Sequence, residues 1–208
     1  MLLYAISNRK LLAGDDAAQQ ERLVELAAAW ARGGVETIQV REKDLPLNEV
    51  GPLAARIVEV VRGTGSATRV LVNGPAQVAL DAGADGVHLR SGMGTAAVRA
   101  AHQVYDRAGR EAIVSVACHS PEEIRDAAGA SMLLFSPIFE KVTEPPSPRG
   151  QGLGALRAAV ELAAPIPVFA LGGVTERNAA ACVQAGAAGI AAIRLFLGEG
   201  WKGLKSSG

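Results

Sequence analysis

The sequence predicts a single α/β domain closed as a (β/α)8 barrel, and three observations lead there. Eight short apolar runs recur along the 208 residues, and stretches of helical periodicity separate them. Strands that alternate with helices imply a parallel sheet with right-handed crossovers. The length suits one α/β core, and eight such units suffice for a compact barrel. The composition agrees: Ala, Val, Leu and Gly dominate, with aromatics at 4%, a mix that suits parallel strands under close-packed helices. The rival is a doubly wound open sheet. That fold usually has fewer strands and often a glycine-rich first turn, whereas Ser7-Asn8-Arg9 contains no glycine.

In chain order, strands are expected at Leu2–Ile6, Val35–Arg41, Arg69–Asn73, Asp85–Leu89, Ala112–Ala117, Met132–Ser136, Val168–Leu171 and Gly189–Ile193. Helices are expected at Ala17–Arg32, Asn48–Arg62, Pro75–Ala82, Thr95–Ala108, Pro121–Ala128, Leu153–Ala163 and Glu176–Ala185. The opening run is too short for a signal sequence, because charges follow at once. One internal echo supports the repeat: Ala82-Gly83-Ala84-Asp85-Gly86-Val87 returns as Ala185-Gly186-Ala187-Ala188-Gly189-Ile190. Each lies where a helix ends and a strand begins, and glycine suits the position after a helix. The tail from Gly198 is short for an eighth helix. Trp201 is expected to anchor it, with 206–208 frayed.

Several function classes are excluded by composition. Lys plus Arg equals Asp plus Glu, 21 of each. There is no basic stripe and few aromatics, which argues against a nucleic-acid platform. No window reaches membrane-spanning length. Cys118 and Cys182 make neither a disulfide framework nor a zinc site and fit a reducing cytoplasm.

In such a barrel the site stands at the C-terminal ends of the strands. Alternation puts Gln39, Arg41 and Lys43 on one side of the second strand. Strand three ends at Asn73, strand four at His88-Leu89, strand five at Cys118-His119 and strand six at Ser136. His119 sits on a corner made by Ser120 as N-cap, Pro121 and Glu123, and histidine suits proton transfer near neutrality. His88 is expected to be structural, and His102 solvated on its helix. Strand seven runs into Gly172-Gly173, with Thr175 as the next N-cap. Glycines followed by a helix start suit an anion, and barrel phosphates often sit after strands seven and eight. Strand eight ends at Ile193-Arg194. The longest loop, Phe139–Leu153, is expected to act as a lid.

Five segments carry a resemblance: IQVREK (38–43), LVNGPAQVALDAGADGVHL (71–89), CHSPEE (118–123), LFSPIF (134–139) and PVFALGGVTERNAAACVQAGAAGIAAI (167–193). Together and in this order they resemble the thiamin phosphate synthase/TenI family. The resemblance implies a TIM barrel and a role in thiamin biosynthesis on a phosphorylated thiazole. The synthase branch joins hydroxymethylpyrimidine diphosphate to thiazole phosphate and holds the leaving diphosphate with Mg²⁺. Its pattern has an acid after the strand-three Asn and another beyond strand four. This chain has Gly74 and Gly92-Met93 there. The synthase's Thr-x-Thr-Lys corresponds to Lys141-Val142-Thr143-Glu144, and two of its serines fall at Ala117 and Arg194.

The TenI-like branch, the thiazole tautomerases, has Asn-Gly, Ser-Gly and His-Ser at places that match Asn73-Gly74, Ser91-Gly92 and His119-Ser120. It implies His119 as general acid/base. Gln39, Arg41, Lys43, Asn73 and Ser136 would hold substrate, and Gly172, Gly173, Ile193 and Arg194 the phosphate. It needs no cofactor, and Mg²⁺ enters only if the synthase branch is right. The expectation is therefore a cytoplasmic thiazole tautomerase, a homodimer without nucleic-acid or membrane partners. Thiamin phosphate synthase and a non-catalytic thiazole-phosphate-binding regulator are the alternatives.

Overall fold

The computed structural model describes residues 1–140 and 149–204. Eight parallel strands close into a barrel in sequence order. They are β1 (Leu2–Ile6), β2 (Thr37–Val40), β3 (Arg69–Val72), β4 (Gly86–Leu89), β5 (Ile113–Cys118), β6 (Met132–Phe135), β7 (Val168–Leu171) and β8 (Gly189–Ala192). Between them run α1 (Asp16–Arg32), α2 (Leu47–Gly63), α3 (Ala76–Asp81), α4 (Gly94–Asp106), α5 (Pro121–Arg125), α6 (Gly152–Ala163) and α7 (Glu176–Gln184). Every expected strand exists, with ends shifted by one or two residues. Val35 and Glu36 lie outside β2. Asp85 lies outside β4 because its carboxylate is engaged below the strand, accepting from the Val70 N–H and from Arg62, both at 2.7 Å.

The apolar residues divide between two cores, as alternation requires. The larger lies between strands and helices. The smaller fills the barrel with Tyr4, Ile6, Leu71, Leu134, Phe169 and Ala191. Tyr4 meets Phe169 edge-on, with centroids 5.7 Å apart, a favoured aromatic geometry. This plug reaches the ends of β1 and β7 through Ile6 and Leu171, while the strand ends from β2 to β6 carry polar side chains.

The internal echo has a double cause. Gly83 and Gly186 take positive φ, 74° and 100°, where side chains are strained. Gly86 and Gly189 begin β4 and β8 against a neighbouring backbone. A Cβ there would lie 1.9 Å from the Ile113 carbonyl oxygen and 2.1 Å from that of Leu2.

Among the described residues no eighth α-helix forms. Two 3-10 turns, Arg194–Leu197 and Gly200–Leu204, replace it. Trp201 is 2% exposed and packs on Phe196, 5.8 Å between centroids. Trp30 of α1 donates from Nε1 to the Phe196 carbonyl at 2.9 Å. The tail is anchored as expected, while 206–208 lie outside the described residues.

Candidate active site

The registers assemble a polar tier at the mouth. Val40 pairs with Val72, Val72 with Val87, and His88 with Ser115. One residue further on, Arg41, Asn73 and His88 therefore share a level. Gln39 stands one turn of the pleat below Arg41 and is 1% exposed. Neither polar atom of its amide has a partner. Unpaired buried amides are rare and costly, so this one marks a place where a polar ligand would complete the structure.

Arg41 is half-buried, and burial lowers its pKa. Lys43 is exposed, and its ammonium is lowered first by the Arg41 charge, then by desolvation and by Arg90. The three cations thus face one another, and among the described residues none of them has an ion-pair partner. Such a cluster favours an anion. The neighbouring acids are engaged elsewhere. The Arg9 guanidinium forks both Asp44 oxygens at 2.8 and 2.7 Å. Glu42 accepts the Arg9 N–H at 3.0 Å and the Ser7 hydroxyl.

His88 points into the barrel. Its Nδ1 lies 2.8 Å from Ser115 Oγ, which lies 3.2 Å from the Tyr4 hydroxyl. Burial, assisted by the Arg41 charge, pushes the His88 pKa down to about 3, so the ring is neutral at pH 7. It is structural in its bonding, as expected, and also lines the floor of the mouth.

Across the barrel, His119 follows β5 and Ser136 follows β6. Ser120 caps α5, accepting from the Glu123 N–H at 3.3 Å. The Glu123 carboxylate reaches past the cap to the His119 N–H at 2.6 Å. His119 Nδ1 lies 2.7 Å from the Ser136 carbonyl oxygen and 3.2 Å from Ser136 Oγ. Gln151 Nε2 donates to the same carbonyl at 2.8 Å. His102 departs from expectation: it is half-buried, with Nε2 3.1 Å from the Gly129 carbonyl oxygen.

Gly172 and Gly173 have φ of 96° and 65°. They also admit the segment after β6. A Cβ on Gly172 would lie 2.8 Å from Pro137 Cα, and one on Gly173 would lie 2.7 Å from the Phe139 carbonyl oxygen. The glycines therefore have a packing reason independent of any ligand. Thr175 caps α7 as expected, with its N–H held by Asn178 Oδ1 at 2.7 Å. Leu171 pairs with Ala191, which brings Gly173 beside Ile193. Arg194 is exposed at the start of the 3-10 turn. The tips of the strands thus carry cations on the β2–β4 side, His119 and Ser136 at β5–β6, and glycines at β7–β8.

Magnesium prefers hard oxygen ligands. Asn73-Gly74 and Arg90-Ser91-Gly92-Met93 offer no carboxylate, and Glu42 and Asp44 are held by Arg9. Among the described residues no group of three or more His, Cys, Asp or Glu could hold a metal ion. These residues do not fit the metal. Lys141–Glu144, and the part of the expected lid at 141–148, lie outside the described residues. A cavity of about 360 Å³ between α2 and α3, lined by Leu47, Pro52, Ala55 and Val78, is on the outer wall and plays no part in the mouth.

Residues 3–196 match the profile described as thiamine monophosphate synthase. The chain belongs to the thiamine monophosphate synthase/TenI family. A Geobacter sulfurreducens protein that provisionally bears the name thiamine-phosphate synthase is 35% identical over 200 residues, covering 95% of this chain and 87% of its own. The Methanoregula boonei thiamine-phosphate synthase is 34% identical over 177 residues, covering 84% and 78%. The solved thiamine phosphate pyrophosphorylase from Pyrococcus furiosus superposes with a TM-score of 0.76 at 27% identity, covering 97% of this chain and 90% of that one. Membership places the chain in thiamin biosynthesis and supports an enzyme. These relatives' names favour the transferase alternative over the isomerase expected from sequence. No helix among the described residues is long and apolar enough to cross a membrane.

Sequence reasoning missed Ser115 as the partner of His88 and Tyr4 as the partner of Ser115, Arg90 as the third cation, and the Arg9 network. Alternation along β4 and β5 was the available signal for His88 and Ser115. Nothing local marks Arg9, whose acidic partners come from two separate segments, Asp16 and Glu42–Asp44.

Proposed function

We propose that this thiamin-biosynthesis protein is a thiazole tautomerase of the TenI type, moving a proton on a phosphorylated thiazole carboxylate. The observation that carries the reading is the bond between His119 Nδ1 and the Ser136 carbonyl oxygen at 2.7 Å. A carbonyl only accepts, so Nδ1 carries a hydrogen, and in the neutral ring the lone pair is then on Nε2. His119 Nε2 would take a proton from one ring position and return it at another, with no net gain or loss. Arg41, Lys43 and Arg90 would hold the carboxylate, with Gln39 and Asn73 on polar edges of the ring. Backbone N–H groups near Gly172, Gly173, Ile193 and Arg194 would hold the phosphate. The aromatic product supplies driving force, so one placed base suffices.

Thiamin phosphate synthesis is the second reading, and the names of the relatives support it. The missing carboxylates count against it. The deciding experiment assays thiazole carboxylate phosphate aromatisation with chelator present, and thiamin phosphate formation with Mg²⁺ present. Aromatisation without thiamin phosphate formation supports the first reading. Thiamin phosphate formation without aromatisation establishes the second.

A further inference from the structure

Past β2 the chain alternates cation and acid: Arg41, Glu42, Lys43, Asp44. Neighbouring opposite charges would ordinarily neutralise one another, and here they do not. Arg9 is 1% exposed. Besides the fork on Asp44, its second nitrogen donates to Asp16 at 2.7 Å, and Glu42 Oε2 lies 3.7 Å from the guanidinium. Lys10 adds contacts to Asp16 at 2.9 Å and Asp44 at 3.5 Å. Ser7, which donates to Glu42, accepts the Arg41 N–H at 2.8 Å. The network fixes the main chain of Arg41, and among the described residues its guanidinium makes no salt bridge, although the Glu42 charge still acts on it through space.

We infer that Arg9 is a positioning residue for anion recognition: it sequesters Glu42 and Asp44, and so keeps Arg41 and Lys43 unpaired for the anionic group of the substrate. The inference rests on the proposed role of Arg41 and Lys43. A guanidinium suits this task because it is planar, permanently charged and can hold several carboxylates at once. Without it, the two acids become the nearest partners of the two cations, and any incoming anion must displace them.

The test is calorimetric titration of inorganic pyrophosphate into the metal-free full chain, which reads affinity and the number of sites separately. Arg9→Met is expected to weaken binding roughly tenfold or more at an unchanged number of sites. Adding Glu42→Gln and Asp44→Asn to Arg9→Met is expected to restore affinity to within about threefold, because no acid remains to compete. A purely structural Arg9 would instead lower the number of competent sites. The triple variant also removes the Glu42 charge that Arg9→Met leaves buried, so it serves if the single variant fails to fold. Wild-type affinity in Arg9→Met, a triple variant as weak as the single one, or failure of both to fold would overturn the inference. Arg41→Ala/Lys43→Ala is the control. If that variant binds as wild type, the cation pair itself is wrong; if it loses binding while Arg9→Met does not, only the role of Arg9 fails.

Discussion

His119 Nδ1 lies 2.7 Å from the carbonyl oxygen of Ser136, which fixes both the tautomer and the direction of the ring. The Glu123 carboxylate on the His119 N–H fixes the backbone beneath it. An exposed histidine is thus held at two points while the nitrogen available for chemistry stays free. His119→Ala is expected to lower aromatisation on the order of 10²-fold. Because the side chain is exposed, the thermal midpoint should barely move. Turnover and calorimetry on the same preparation check both.

The buried His88 makes stability depend on pH. Its pKa is about 3 in the folded protein, against 6.5 for the free side chain. Between those values the unfolded chain binds a proton that the folded one does not, so stability falls as pH drops through that window. Above it the contribution is full and flat. The slope is at most about 1.4 kcal/mol per pH unit. Urea unfolding at pH 7.5 and pH 5 should show wild type losing more stability than His88→Gln, and equal losses would refute it.

Gly173 is held by backbone, with φ of 65° and the Phe139 carbonyl oxygen 2.7 Å from a would-be Cβ. Gly173→Ala should cost about 2 kcal/mol or more, read as a lowered urea midpoint. A neutral effect would show that the segment after β6 gives way.

Trp201 closes the far side of the molecule. Trp201→Ala removes a buried indole from Phe196 and should cost roughly 3–5 kcal/mol. Denaturant unfolding checks the size, and a cost below about 1 kcal/mol would mean that the tail contributes little.

The architecture was legible because period-two and helical patterns alternate cleanly, and because strands buried on both faces need continuous apolar runs. The ends of strands were less legible. Asp85 belongs by propensity to either side of the β4 boundary, and only its bonds to Val70 and Arg62 decide. The site separated in the same way. His119 and Ser136 stood out because both occupy strand ends, and their register brings them together. Arg90 and Arg9 did not, since their meaning comes from charges distant in sequence. Gly172 and Gly173 were noticed for an anion, while the structure adds a steric reason that local spacing cannot reveal.

Leu2 pairs with Gly189 and Tyr4 with Ala191, so the barrel strand made earliest is completed by the barrel strand made latest. Until β8 emerges, β1 has one unpaired edge, and the sheet is an open ribbon with a long loop still to close. Closure of that kind is slow and leaves an edge exposed to other chains. The short β1, only five residues long, limits how much ladder a passing chain could capture before its own partner arrives.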